Sequence, residues 1–231
     1  MPVVLRRLRR LALPAHVRAD IRDHELTAAL LAEVLVPDSD CVDAGAHAGA
    51  VLEQMVKLAP HGRHVAWEPL PELAGRLRER FPGVEVRQAA LSDRAGTRDF
   101  AHVTADPGWS GFVARPSPAG GPVETISVRT ERLDDALPSG VRPALVKIDV
   151  EGAEEEVLRG ATATLAAHRP IVLFEHGLGS ADHYGTTPEA IHDLLAGLGY
   201  AIRGLDGEGP YDRDRFAAIF ASGERVNFVA R

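Results

Sequence analysis

The chain has 231 residues, enough for one large α/β domain with a sizeable core, and its 45% hydrophobic and 26% charged residues are those of an ordinary globular protein. The formal net charge of -7 argues against a general nucleic-acid binder, which needs a basic surface to displace counterions. The single cysteine, Cys41, excludes an intramolecular disulfide and a cysteine zinc cluster, and its place in an apolar run makes it a small core residue.

The chain opens with MPVVLRRLRRLALPAHV, basic with scattered leucines. Its apolar runs fall far short of the ~20 residues a membrane span needs. The arginines also interrupt the apolar stretch an export signal requires. A basic amphipathic helix is expected there, packing on the domain or touching a partner, in a protein of the cytoplasm. Residues 1–37 are expected to form this helical N-terminal segment, and 38–231 the main domain.

HELTAALLAEVLV (24–36) carries apolar residues at helical spacing, and Pro37 ends the run. CVDAG (41–45) reads as a buried strand entering a glycine turn, and AGAVLEQMVKLA (48–59) as the helix that follows. HVAWEP (64–69) is the second strand, PELAGRLRERF (71–81) the second helix and VEVRQAAL (84–91) a single third strand. TRDFAHV (97–103) reads as a further short strand. A Gly/Pro/Ser-rich stretch, 104–122, is too long for a simple connector and is expected to be functional or mobile. VETISVRTERLDDAL (123–137) has β-branched alternation and then a turn. ALVKIDVEGAE (144–154) is a strong strand, and EEEVLRGATATLAAH (154–168) one helix. PIVLFEHG (170–177) is a buried strand. TPEAIHDLLAGLG (187–199) is a helix with Thr187 as cap and Pro188 at its first position. YAIRGLDG (200–207) and ERVNFVAR (224–231) close the chain as strands.

Such alternation predicts a mostly parallel sheet with helices on both faces, and ligands at the carboxyl ends of its strands. The residues just after each strand therefore carry the functional weight. In VDAGAHAG (42–49), Gly45 and Gly49 allow a sharp turn, and the next helix points free N–H groups at a ligand. Asp43 stands where a carboxylate holds an ammonium directly or through water. Glu68 follows the second strand, where an acid accepts both hydroxyls of a ribose. Nicotinamide and S-adenosylmethionine (SAM) enzymes both use that device. A dinucleotide turn needs G-x-G-x-x-G, whereas Ala stands here where the close-approach glycine would lie, which disfavours an oxidoreductase. Asp149, Glu151 and Glu154 crowd the end of the KID strand. Glu155 and Glu156 read as helix-end carboxylates.

VDAGAHAG, VAWEPLPE, ALSDRAG, the LDD of ERLDDAL, LVKIDVEGAEEEVLRGA and IVLFEH occur in the order and spacing of a known family. Over about residues 40–176 the chain resembles the FkbM family of SAM-dependent methyltransferases. The resemblance implies a Rossmann-like class I methyltransferase fold, with a mostly parallel seven-stranded sheet whose last strand is antiparallel. It implies methyl transfer from SAM, usually to an oxygen of a secondary metabolite or sugar. Carried over residue by residue, Asp43, Gly45, His47 and Gly49 form the methionine end of the site. His47 stands where the family commonly has Asn. Glu68, followed by Pro69, takes the ribose; Ser92 and Asp93 are candidates for the adenine edge; Asp149 lies beside the methionine moiety or the acceptor. Trp109 and Ser110 cover cofactor or substrate, or Trp109 anchors its loop.

A hydroxyl acceptor must lose its proton. His176, Asp149 and Glu175 are the candidate catalytic groups, and strand alternation turns one of Glu175 and His176 toward the crevice and the other away. A divalent metal held by Asp149 and Glu175 is an alternative. His61, His64, His102, His168, His183 and His192 lack mutual ligand spacing and read as surface or packing residues. The expected partner is a small-molecule acceptor, with neither nucleic acid nor membrane span, and the oligomeric state stays open. The rival readings are a nicotinamide-dependent oxidoreductase and an inactive SAM-fold binding protein.

Overall fold

The computed structural model describes residues 14–118 and 120–231; the first thirteen residues of the basic helix expected over the opening 1–17 lie outside them. In chain order the elements are α1 (Ala15–Val34), β1 (Asp40–Ala44), α2 (Ala50–Leu58), β2 (His64–Trp67), α3 (Pro71–Arg80), β3 (Glu85–Arg87), β4 (Ala90–Leu91), β5 (Gly96–Val103) and β6 (Val123–Glu131). There follow α4 (Leu133–Ala136), β7 (Pro143–Ile148), α5 (Glu154–Arg159), α6 (Thr162–His168), β8 (Ile171–Glu175), α7 (Pro188–Gly197), β9 (Ile202–Gly204), α8 (Arg213–Ser222) and β10 (Asn227–Ala230).

Seven strands form one sheet in the order β3-β2-β1-β7-β8-β10-β9. Only β10 runs against its neighbours. This is the Rossmann-like α/β sheet predicted from the sequence, and strand order reverses between β1 and β7, the place where such sheets bind ligands. Side chains alternate across it. Cys41, Ala66 and Leu145 face one way, into a core with Leu31 of α1, Leu52 and Met55 of α2 and Leu77 of α3. Val42, Val146, Val172 and Phe174 face the other way, into a core with Val157 of α5, Leu165 of α6, Ile191 of α7 and Phe216 of α8.

Helix α1 docks on the first face. Leu31 is fully buried, a contribution of about 2 kcal/mol. Leu30 meets Leu173 and Val229, and Asp23 accepts the Asn227 amide at 2.9 Å.

Four features depart from the sequence expectations. VEVRQAAL is split: Glu85–Arg87 stays in the large sheet, while Ala90–Leu91 joins a second, three-stranded sheet with β5 and β6. The expected single helix over 154–168 breaks at Gly160, where a Cβ would lie 2.1 Å from the Ser92 carbonyl oxygen. The broken end is capped from outside, by Asp134 accepting the N–H groups of Ala163 and Thr164. Helix α8 was not foreseen. Nor was the role of segment 104–122, which is the tip of the β5–β6 hairpin, folded back so that Gly111 bridges Ala101.

Candidate functional site

The turn after β1 is held from two sides. Gly45 has a positive φ of 75°, and a Cβ there would sit 1.8 Å from the Asp149 carbonyl oxygen, so only glycine lets the turns after β1 and β7 touch. Gly49, at φ 80°, leads into α2. His47 also has a positive φ, 48°; Asn and His are among the residues that tolerate that region, which is why His can stand in an Asn position. The turn's N–H groups are committed within the protein: those of Gly45 and Ala46 donate to the Trp67 carbonyl, and that of His47 donates to Glu68 Oε2 at 2.8 Å. Glu68 Oε1 accepts from Leu70 N at 2.9 Å. Burial pushes the Glu68 carboxyl pKa up, and the two backbone donors pull against that.

Asp43 does not stand open at the turn. It is buried, in register with Lys147 on β7, with Lys147 Nζ 3.1 Å away. Burial raises the Asp43 pKa, offset in part by that lysine. Lys147 also donates to the Gly45 carbonyl at 2.6 Å and lies 3.5 Å from Asp149. Burial alone would lower the Lys147 pKa; Asp43 and Asp149 outweigh it and hold the ammonium charged. Sequence reasoning missed this residue. A signal existed: Lys147 is one of only two lysines in an arginine-rich chain.

The turn after β7 gathers carboxylates. Glu154 Oε1 accepts the N–H groups of Val150 and Gly152 at 3.1 and 3.0 Å, and burial pushes its pKa up to about 7. Glu151, at φ 61°, pairs with Arg115 from the 104–122 segment. Its pKa also rises to about 7, from burial and from Asp149, against the pull of Arg115.

Register decides between Glu175 and His176. In the β7–β8 pairing Ile148 lies opposite Phe174, so Glu175 falls beside Asp149 on the α1 face. Burial, together with the neighbouring acids Asp149, Glu151 and Glu154, holds the Glu175 pKa well above the carboxylate range. His176 points to the opposite face, fully buried and stacked on Phe216 and Phe220 with centroids at 5.8 and 4.7 Å. Neither ring nitrogen has a hydrogen-bond partner among the described residues, and burial lowers its pKa to about 4. The expectation that His176 serves as the base does not fit this placement.

Ser92 and Asp93 also lie away from the cleft. Ser92 is buried, its hydroxyl donating to Glu156 at 2.7 Å, and Asp93 is near Arg94 at 3.8 Å. Trp109 lies under the Arg115 guanidinium, 4.5 Å from its ring centroid. Ser110 is buried and accepts Val103 N at 3.0 Å. Arg115 donates to the Gly179 carbonyl at 2.7 Å, so these contacts tie segment 104–122 down.

Two cavities open at the strand ends. The smaller, about 150 Å³, is lined by Gly45, His47, Glu68 and Pro69 with apolar walls that include Leu91, Phe100 and Phe112, and by Asp149. The larger, about 660 Å³, lies beneath α1 and is lined by Lys147, Asp149 and Glu175 among others. Among the described residues, no group of three or more His, Cys, Asp or Glu is placed to hold a metal ion, and no helix is long and apolar enough to cross a membrane.

Residues 43–202 match the methyltransferase FkbM domain. Over 152 residues the chain is 32% identical to the 2-O-methyltransferase NoeI of Sinorhizobium fredii, covering 58% of this chain and 61% of that protein. It is 32% identical over 153 residues to methyltransferase sdnD of Sordaria araneosa, covering 52% of this chain and 59% of that one. The chain thus spans about three fifths of the length of these curated relatives. The solved structure of methyltransferase FkbM from Methylobacillus flagellatus KT has a TM-score of 0.51 at 15% identity, covering 85% of this chain and 44% of that one; a likeness at this identity shows a shared fold.

Proposed function

Since the chain belongs to the FkbM family of methyltransferases, we propose that it transfers a methyl group from SAM to a hydroxyl of a small molecule. One observation carries this reading: Asp149, at the end of β7, lines both cavities. One is chemically suited to the donor and the other has room for an acceptor.

The smaller cavity fits the nucleoside part of SAM. Glu68 presents an acceptor-only carboxylate, and each oxygen, with one backbone N–H already bound, keeps a lone pair for a ribose hydroxyl. Pro69, Leu91 and Phe112 offer apolar surface to a purine. Ala90 and Leu91 take the place on the adenine wall that the sequence assigned to Ser92 and Asp93. The methionine end falls to Gly45, His47 and Gly49, with Asp43 acting from behind the turn through Lys147. When bound, SAM supplies an electrophilic methyl group.

The chain's own task is then positioning and proton removal. An acceptor in the larger cavity places its hydroxyl against Asp149 and Glu175. Glu175, whose proton affinity is raised by burial and the acids around it, is a better base than an exposed carboxylate. Transfer to oxygen is the choice supported by the likeness to NoeI, a 2-O-methyltransferase.

The test is calorimetric titration with S-adenosylhomocysteine (SAH), followed by transfer of isotope-labelled methyl from SAM to a panel of hydroxylated metabolites, read by product mass. Glu68→Gln is expected to weaken SAH binding roughly tenfold to a hundredfold. Binding of a nicotinamide dinucleotide in place of SAH would overturn the reading.

A further inference from the structure

The cavity beneath α1 has an unusual charge balance. Its lining includes the carboxylates of Asp20, Asp23, Asp149, Glu175, Asp206 and Glu224. Among the described residues three permanent cations also line it, and each is already engaged. Lys147 is held by the Gly45 carbonyl, Asp43 and Asp149. Arg22 pairs with Asp206 at 2.8 Å. Arg225 reaches Asp206 at 2.9 Å and Glu208 at 2.7 Å. Among the described residues Glu175 has no ion-pair partner, and it lies beside Asp149 in the cavity wall.

An anionic ligand entering this cavity would have to break an existing ion pair to gain a counter-charge. A neutral polyol could hydrogen-bond but would leave the carboxyl pair short of a cation. A ligand ammonium would bring its own positive charge to Glu175 and donate hydrogen bonds to both carboxyls. Taking this cavity as the acceptor site, as in the function proposed above, we infer that the acceptor carries a protonated amine close to the hydroxyl that is methylated, with Glu175 as the ammonium's main partner.

The two groups have separate tasks. A nitrogen held as ammonium has no lone pair to attack with, so the amine recognises and the neighbouring hydroxyl receives the methyl group. With the ammonium seated against Glu175, Asp149 would take the hydroxyl proton as the oxygen receives the methyl group and SAH leaves. Asp20 adds negative charge on the α1 wall of the cavity.

The test uses three matched probes on the full chain saturated with SAH: the methyl glycosides of glucosamine (cationic), N-acetylglucosamine (neutral) and glucuronic acid (anionic). Affinities are measured by calorimetry at low and high salt. The glucosaminide is expected to bind at least roughly tenfold tighter than the N-acetyl compound, with the glucuronide weakest, and the advantage should shrink with salt. Glu175→Gln and Asp20→Asn should each weaken the cationic probe severalfold and leave SAH affinity unchanged; Asp20, on an exposed helix face, is the variant least able to disturb folding. No binding of the cationic probe, or equal binding of the neutral or anionic ones, overturns the inference. The SAH titration separates the two ideas: SAH binding without an amine preference removes this inference alone, whereas absence of SAH binding removes the methyltransferase reading and this inference with it.

Discussion

The turn after β1 and the turn after β7 are each closed by a buried carboxylate that accepts backbone N–H groups, but the carboxylates come from different places. Glu68 reaches across from the end of β2 and divides its oxygens, Oε2 to His47 N and Oε1 to Leu70 N. Glu154 belongs to its own turn, takes both N–H groups on Oε1, and leaves Oε2 buried without a partner among the described residues. A staple from a neighbouring strand spans the switch point, so its outer lone pairs face the cleft and Glu68 lines a cavity. A staple from within the turn faces protein on all sides. The same chemistry thus serves as a ligand contact in one turn and as a purely structural tie in the other.

Four outcomes would break or sharpen that contrast. The largest is expected where the turns touch. Gly45→Ala puts a methyl group 1.8 Å from the Asp149 carbonyl oxygen at a positive φ, and should cost roughly 4 kcal/mol in urea unfolding, from overpacking and backbone strain together. A loss below about 1 kcal/mol would mean the two turns are not locked.

The next concerns the strand beside them. His176 has its pKa lowered from 6.5 to about 4 in the folded protein. Its contribution to stability is therefore fully present above pH 6.5 and disappears as pH falls from there through 4, about 3 kcal/mol in all. His176→Phe should flatten that part of the stability–pH curve; an unchanged curve would remove the histidine from the explanation.

Glu68→Gln is predicted to cost about 2 kcal/mol, because one amide end must face a backbone N–H. Denaturation midpoints check this independently of SAH affinity.

The smallest effect is expected for Glu154→Gln, within about 1 kcal/mol at pH 6, since the amide oxygen can keep both N–H bonds. Its signature is in the pH dependence. The Glu154 pKa rises from 4.5 to about 7 on folding, so the stability it contributes is complete below pH 4.5 and lost as pH rises through 7. The glutamine variant should lack that loss. Equal costs for the two glutamine variants would show that the staples are equivalent after all.

The sequence by itself determined the alternation of strands and helices, the glycine turn, the acid after β2 and the carboxylate-rich end of β7, because these follow from local spacing and turn chemistry. Through the family resemblance it also carried the antiparallel last strand. It narrowed the end of β8 to two residues and could go no further. Tertiary structure made that choice: the β7–β8 register puts Glu175 beside Asp149, while the residue after it drops between Phe216 and Phe220. It also set Lys147 between Asp43 and Asp149, broke the 154–168 helix against the Ser92 carbonyl, and drew Ala90–Leu91 into a second sheet. In each case the deciding contact joins residues distant in sequence, and local propensity carries no information about which of them will meet.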